Sequence, residues 1–294
     1  MLRTLLFAPA NHARHVEKAL SSAADGAILD LEDAVAVAEK PTARLAARRA
    51  LAERSASART KAYVRVNALT TPFAYEDLRA VVGPGLDGVV VPKMETPEQV
   101  ATVDWLLHQL EREADLAAGS IDLLPIIETA RGLEYARSIA QASPRVRRLS
   151  FGAGDFSLDT NMTWTLGHEG ILWARVQLVV VSRAAGVEPP LDTVYADLAD
   201  REGLAMEAEQ AKRLGYQGKT CIHPSQVDVV NAIFTPSADE VDRARRLVAA
   251  FDEAEKRGTA SIQLQGQFVD YPVAARARRT IEFAAQIERQ GTYQ

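Results

Sequence analysis

Two carboxylates follow apolar runs of the chain, and their type and spacing suggest a metal site. Glu128 ends the run "LLPII", and Asp155 follows the run "LSF" through "GAG". Adjacent parallel strands lie about 4.8 Å apart, so carboxylates at the ends of two neighbouring strands can reach one ion. Carboxylate oxygens suit Mg²⁺, which keeps several positions for water and substrate. The sequence therefore predicts a Mg²⁺ site at Glu128 and Asp155, with an acid/base pair that works without metal as the alternative.

Further polar residues follow other apolar runs and widen the set of candidate site residues. A single carboxylate after a strand is commonly a helix N-cap or a surface charge. Capping alone does not readily explain six runs that all end in ionisable groups, because the carboxyl ends of barrel strands share one face. We take Glu32 and Asp33 as candidate catalytic residues, and Gly154 as a place where substrate can approach the backbone. The remaining members of the set are Asp30, Arg65, Asn67, Lys93 and His223.

Two cations in this set have competing interpretations. Arg65 lies inside the β-branched run "YVRVN", where a buried guanidinium must meet an anion. That anion is either a neighbouring carboxylate or the carboxylate or enolate of a substrate. Lys93, after "GVVVP", invites a Schiff-base role, but the carboxylates after the second run favour a salt bridge that keeps it protonated.

These residues need elements that bring them together, and the chain alternates short apolar runs with longer segments of helical period. Eight buried strands alternating with helices predict a (β/α)8 TIM barrel, with a doubly wound sheet as the alternative. The predicted strands are 3–8, 26–31, 61–66, 87–92, 122–127, 147–151, about 191–195 and 217–222, and the predicted helices include 40–54, 97–113, 130–141, 170–185 and 202–214.

Beyond the last predicted strand, the chain forms an appendage of roughly 55 residues. This region contains a helix in "PSADEVDRARRLVAAFDEAEKRG", a short extended or hairpin-like segment, and a second helix. We expect a barrel domain over residues 1–236 and a C-terminal appendage over residues 237–294.

Composition narrows the possible partners and location. The chain has 294 residues, 47% of them hydrophobic, and a formal net charge of −5. Since no basic tract is present, nucleic acid is not an expected partner. No window resembles a secretory signal or a membrane span, so we expect a cytoplasmic protein. The lone Cys221 is expected to lie in the core.

Six motifs in order resemble the citrate lyase β-subunit-like proteins of the HpcH/HpaI aldolase/citrate lyase superfamily. The resemblance covers about residues 1–275. The motifs are "ILDLEDAV", "YVRVN", "GVVVPK", "LLPIIET", "FGAGDFSLD" and "GYQGKTCIHPSQVDVVN".

This resemblance implies a Mg²⁺-dependent lyase that cleaves or forms the carbon–carbon bond of a β-hydroxyacyl-CoA thioester. Such an enzyme interconverts that thioester with an acyl-CoA and a 2-oxo acid. It implies Glu128 and Asp155 as metal ligands and Arg65 as a substrate contact. The segment "GQFVDYP" matches a family segment that reaches a neighbouring protomer, which implies Asp270 as an acid/base residue supplied in trans within a homotrimer.

The sequence departs from the family pattern at three places, and other functions stay open. Ala10 and Asn161 stand where glycine is usual, and Tyr271 replaces a small or apolar residue. A class II pyruvate aldolase that uses no CoA is one alternative function. A non-catalytic assembly subunit is another. For Asp270 the alternative is a helix N-cap.

Overall fold

The computed structural model describes residues 2–55, 57–165 and 169–289. Eight parallel strands form a closed barrel in chain order, and β8 pairs with β1 to complete it. The predicted TIM barrel is confirmed, and the closure excludes the doubly wound alternative. The strands are β1 Thr4–Pro9, β2 Gly26–Asp30, β3 Lys61–Arg65, β4 Gly88–Val91, β5 Asp122–Ile127, β6 Ser150–Phe151, β7 Leu191–Asp192 and β8 Gly218–Cys221.

Alternate residues of each strand face the barrel interior or the surrounding helices, because a strand has a side-chain period of two. The interior contains an apolar cluster that includes Leu5, Ile28, Tyr63 and Leu124. The residues two positions further along these four strands are Phe7, Asp30, Arg65 and Ile126. The alternation that places apolar side chains in the lower barrel therefore also places these four side chains in the interior near the carboxyl ends of the strands.

Helices surround the barrel, and local sequence marks several of their starts. Thr96 and Gln99 form a capping box at the start of α4, and the side chains of Thr129 and Asp200 cap α5 and α9. The helices of the barrel unit are α1 Ala13–Leu20, α2 Lys40–Ala52, α3 Ala74–Val81, α4 Pro97–Glu113, α5 Ala130–Glu134, α6 Ala136–Gln141, α7 Ala153–Thr160, α8 Leu172–Ala185, α9 Arg201–Leu214 and α10 Pro224–Phe234.

Some predicted bounds differ from the structure. The predicted helix 130–141 is divided at Tyr135, and the strand predicted at about 191–195 ends at Asp192. Beyond Asp192 the backbone forms hydrogen bonds with side chains and not with a neighbouring strand. For example, Gln226 Nε2 donates to the carbonyl of Tyr195 at 2.8 Å.

Within the described ranges, residues 235–289 form a second compact unit. It contains α11 Ala238–Lys256, an antiparallel hairpin of β9 Ile262–Leu264 and β10 Gln267–Val269, and α12 Tyr271–Arg289. Phe251, Val269 and Ala274 form its small core. No helix in the described ranges is long and apolar enough to cross a membrane.

Candidate active site

A cavity of about 500 Å³ opens at the carboxyl ends of the barrel strands. Phe7, Ile126, Ser150 and Thr220 lie one step inside the strand ends and form its floor. This is the face on which enzymes with this fold place their catalytic groups. Around the mouth lie Asp30, Arg65, Glu128, Gly152, Asp155 and Thr193.

Glu128 is held in one orientation by its neighbours. It is 3% exposed, and its Oε1 accepts a hydrogen bond of 2.7 Å from the backbone N–H of Lys93. Its other oxygen, Oε2, lies against Gly152, where an added Cβ would come within 2.4 Å. Burial, followed by the nearby charges of Asp155 and Glu32, raises the pKa of Glu128 to about 8. A carboxyl in such a place gains most from a cation nearby.

Lys93 links carboxylates that follow three different strands. Its φ of +50° places it in the left-handed region, which is uncommon for a residue other than glycine. Besides the backbone contact with Glu128, its Nζ lies 2.8 Å from Glu32 Oε1 and 3.7 Å from Asp155 Oδ2. Partial burial alone would lower the pKa of Lys93, but these contacts raise it above its usual value. The ammonium is therefore protonated and ion-paired, as the salt-bridge interpretation predicted.

Arg65 also meets neighbouring carboxylates. Its Nε and Nη2 donate to both oxygens of Asp30 at 2.7 and 2.6 Å, and Nη1 lies 2.7 Å from Glu32 Oε2. The contact between Nη1 and Glu32 Oε2 is an ion pair without hydrogen-bond geometry. Glu32 Oε2 is therefore buried without a hydrogen-bond partner. The guanidinium stacks on Phe7, 4.9 Å from the ring centre. Arg65 still lines the cavity, so a role toward substrate stays a prediction.

The charges of this cluster do not balance, and the imbalance fits a divalent cation. Five carboxylates face the two cations Arg65 and Lys93, which leaves three negative charges in excess if all are ionised. Within the described ranges, no three His, Cys, Asp or Glu side chains are grouped to hold one ion. Two protein carboxylates with the remaining positions open suit Mg²⁺. The five carboxylates are Asp30, Glu32, Asp33, Glu128 and Asp155.

The other predicted site residues take different positions. Asp33 lines the cavity with its side chain 63% exposed, 3.8 Å from Arg65. Glu32 is buried and absent from the cavity wall, so its contacts are with Arg65 and Lys93. Gly154 lines the cavity, and an added Cβ there would make an ordinary contact of 3.7 Å with Trp164.

Three further predicted residues form hydrogen bonds with nearby residues of the chain. Asn67 donates to Asp77 and to the carbonyl of Leu31, and His223 Nδ1 pairs with Ser225 Oγ. In the C-terminal unit, Asp270 Oδ1 accepts from the N–H of Val273 at 3.2 Å, as an N-cap of α12 does.

The cavity also contains residues that the sequence interpretation missed. Trp164, Val194 and Ile222 line it. Strand alternation could have identified Ile222, two residues after the inward-facing Thr220. Trp164 lies in an irregular segment, where no periodic signal exists.

Comparison with known proteins identifies the family of the chain. Residues 3–224 match the family HpcH/HpaI aldolase/citrate lyase, and residues 180–282 match the C-C bond lyases of the TIM-barrel fold. The chain belongs to the HpcH/HpaI aldolase/citrate lyase family. The predicted membership and enzyme class, a carbon–carbon lyase, are thereby confirmed.

Relatives with printed activities cover almost the whole chain. Citrate lyase subunit beta from Leuconostoc mesenteroides subsp. cremoris is 35% identical, covering 96% of this chain and 93% of the relative. L-malyl-CoA/beta-methylmalyl-CoA lyase from Cereibacter sphaeroides is 34% identical, covering 97% and 95%.

A solved relative has ligands in its structure. Protein CitE from Mycobacterium tuberculosis, in complex with magnesium, acetoacetate and coenzyme A, is 32% identical with a TM-score of 0.78. The similarity covers 96% of this chain and 98% of that one. Magnesium, the metal predicted from Glu128 and Asp155, is thus present in a related structure.

Proposed function

We propose that the protein is a Mg²⁺-dependent lyase that cleaves, or in reverse forms, the carbon–carbon bond of a β-hydroxyacyl-CoA thioester. The observation that carries the proposal is the excess of carboxylates around Glu128 and Asp155 at the mouth of a family barrel. CoA-dependent relatives and magnesium in a related structure support it.

Glu128 and Asp155 would hold the metal, because they line the cavity and come from neighbouring strands. When bound, Mg²⁺ supplies Lewis-acid polarisation of the substrate oxygen that becomes the new carbonyl, and it fixes the adjacent carboxylate. Lys93 and Gly152 would set the direction of the Glu128 oxygens. Glu32, away from the cavity, would position Arg65 and Lys93 and not touch substrate.

Arg65 would stabilise the thioester enolate that remains when the bond breaks. Its charge is fixed, because its contacts with Asp30 and Glu32 raise its pKa although burial alone would lower it. Asp30 holds the guanidinium through two hydrogen bonds, so little reorganisation is needed when charge develops.

Proton transfer requires a base, and two residues are candidates. Asp33 lines the cavity and is exposed enough to meet a substrate proton. Asp270 would come from a neighbouring protomer of a homotrimer, with the C-terminal unit packing on that neighbour. The family resemblance supports this arrangement.

The test is cleavage of malyl-, β-methylmalyl-, citramalyl- and citryl-CoA with Mg²⁺, followed by release of the 2-oxo acid. Glu128→Gln and Asp155→Asn should each abolish cleavage and weaken Mg²⁺ binding in calorimetry, with unchanged thermal unfolding. Full activity in EDTA would exclude the metal assignment. Cleavage of free hydroxy-oxo acids alone would favour the class II aldolase, and no turnover without added subunits would favour an assembly role.

A further inference from the structure

The cavity at the barrel mouth has a charged half and an apolar half. The charged side chains lie at or just after the ends of β2, β3 and β5 and in the first turn of α7. The ends of β1, β7 and β8 contribute Pro9, Val194 and Ile222, and the segment after α7 contributes Trp164. The floor below combines the apolar Phe7 and Ile126 with the hydroxyl residues Ser150 and Thr220. Thr193 and Thr220 also line this side, but the Thr193 hydroxyl oxygen accepts from the N–H of Ala153 and the Thr220 hydroxyl donates to the carbonyl of Asp192. A substrate group that points toward β7 and β8 therefore meets Val194 and Ile222, and the described lining residues on that side carry no charge.

The charged half offers little to an additional anionic group. Among the described residues that line the cavity, Arg65 is the one Lys or Arg. Its guanidinium already contacts Asp30, Glu32 and Asp33. A second substrate carboxylate, beyond the one beside the metal ligands, would lose its hydration without gaining a cation. That loss is costly, because a buried charge without a partner is strongly unfavourable.

We propose that the acid portion of the substrate is a 2-oxo monocarboxylic acid with a short, uncharged aliphatic substituent, which contacts Trp164, Val194 and Ile222. This inference rests on the proposed lyase function. In the cleavage step the hydroxyl proton passes to the base and the C–C bond breaks. The electron pair of the broken bond passes to the thioester part and forms its enolate. Protonation of the enolate at the α-carbon then gives the acyl-CoA. The step needs no oxidant or reductant.

Three thioesters that differ at one position test the inference. Malyl-, citramalyl- and citryl-CoA carry a hydrogen, a methyl and a carboxymethyl group at the hydroxyl-bearing carbon. We expect kcat/KM to be highest for citramalyl-CoA. For malyl-CoA it should be about tenfold lower, because one methyl group in an apolar pocket changes kcat/KM by about tenfold or more. For citryl-CoA we expect kcat/KM at least about a hundredfold lower. Equal or faster cleavage of citryl-CoA would overturn the inference and leave the proposed function standing.

Binding of the acid products gives a readout that does not need turnover. In calorimetry with Mg²⁺ present, pyruvate should bind at least about tenfold more tightly than oxaloacetate. Tighter binding of oxaloacetate would overturn the inference. Cleavage of none of the three thioesters, together with no binding of either acid, would overturn the proposed function itself and this inference with it.

A gain of preference tests the apolar half of the cavity directly. Ile222 is 39% exposed at the cavity, so Ile222→Arg adds a cation there without burying it deeply. This variant should raise kcat/KM for citryl-CoA relative to citramalyl-CoA by at least about tenfold. The matched control Val180→Arg, at a 61% exposed position of α8 outside the cavity, should leave the ratio unchanged. An unchanged ratio in Ile222→Arg would place the substituent elsewhere and overturn the inference.

Discussion

Glu128 shows how two neighbours can fix the direction of a single carboxylate. One of its oxygens is held by the backbone N–H of Lys93, and the other needs the space that Gly152 leaves. Position 93 supplies this N–H from a left-handed backbone. The carboxylate is therefore oriented by groups that carry no metal-binding atoms themselves, an arrangement known to tune metal affinity.

Replacing Gly152 by alanine should move the proposed metal ligand Glu128 without changing its chemistry. The new Cβ would come within 2.4 Å of Glu128 Oε2, so the carboxylate must move. We expect Gly152→Ala to weaken Mg²⁺ binding about tenfold or more in calorimetry, with thermal unfolding little changed. Gly154→Ala is the control, since its Cβ would only contact Trp164 at 3.7 Å and Mg²⁺ affinity should be retained. Equal affinity in both variants would contradict this account of Glu128.

Arg65→Lys keeps a positive charge but loses the planar fork that donates to both oxygens of Asp30. If Arg65 stabilises the enolate, the variant should lose mainly kcat, because that charge develops only on the way to the transition state. Steady-state kinetics would check this, with the exposed Arg49→Lys as control. A change confined to KM would instead place Arg65 on a ground-state carboxylate.

At the scale of elements, the buried carboxylate of Glu111 connects α4 to the loop before β5 and to Arg145, which lies between α6 and β6. Glu111 lies near the end of the helix and accepts from both terminal nitrogens of Arg145, at 2.5 and 2.6 Å. It also accepts from the backbone N–H groups of Gly119 and Ile121, just before β5. One carboxylate thus fixes the loop between helix and strand.

This carboxylate should make the barrel sensitive to acid. Burial alone would raise the pKa of Glu111, but the bonds from Arg145 and the backbone lower it to about 2. A lowered folded-state pKa contributes stability that is present above pH 4.5 and lost as pH falls toward 2. Glu111→Gln should lower the free energy of unfolding by about 3–5 kcal/mol at pH 7 and by less at pH 2–3, where this carboxyl is protonated in the unfolded chain and begins to be protonated in the folded one. Denaturant unfolding at both pH values would measure this.

The control for that experiment is Glu53→Gln, whose carboxylate forms an exposed pair with Arg49 on α2. Exposed pairs contribute little, so this variant should unfold like the wild type at both pH values. If Glu111→Gln also matched the wild type, the ion pair would not stabilise the connection between α4 and β5.

The elements themselves were predictable where burial controls the pattern. Fully buried parallel strands give continuous apolar runs, and the carboxylates that end them pointed to Glu128 and Asp155. The short ladders of β6 and β7 were overestimated, because an apolar run does not show where side chains such as Gln226 take over the backbone bonds. Gly152 and Lys93 were missed as orienting groups, since a missing Cβ and a left-handed backbone acquire meaning only through a distant neighbour. Trp164 could not be placed without the path of its irregular segment.

At the scale of the whole molecule, the C-terminal unit contains the proposed acid/base residue Asp270. Its Asp270 caps α12 within its own unit, and its proposed role in a neighbour's site stays a prediction. Asn keeps the oxygen that accepts from Val273, so Asp270→Asn should preserve the cap while removing the charge. The cytoplasmic location likewise stays a prediction.

Mixed oligomers would test the role of Asp270 in trans. Glu128→Gln and Asp270→Asn protomers should each be inactive alone. In a randomly mixed homotrimer at equal amounts, about one quarter of the sites would combine an intact Glu128 with an intact Asp270 from the neighbour. Co-expressed mixtures should therefore recover about that fraction of wild-type activity. Mixed oligomers as inactive as their parents, or a fully active Asp270→Asn, would exclude this arrangement.

The cavity floor of Phe7, Ile126, Ser150 and Thr220 lies above a filled barrel interior, so the cavity is open at one end. On the proposed function, the reacting acid would lie in this cavity of about 500 Å³ and the CoA thioester would extend through its open mouth. Under that proposal, we expect the acyl-CoA to dissociate before the 2-oxo acid. Product inhibition should follow this order: the acid, released last, should compete with the substrate, and the acyl-CoA should inhibit without competing.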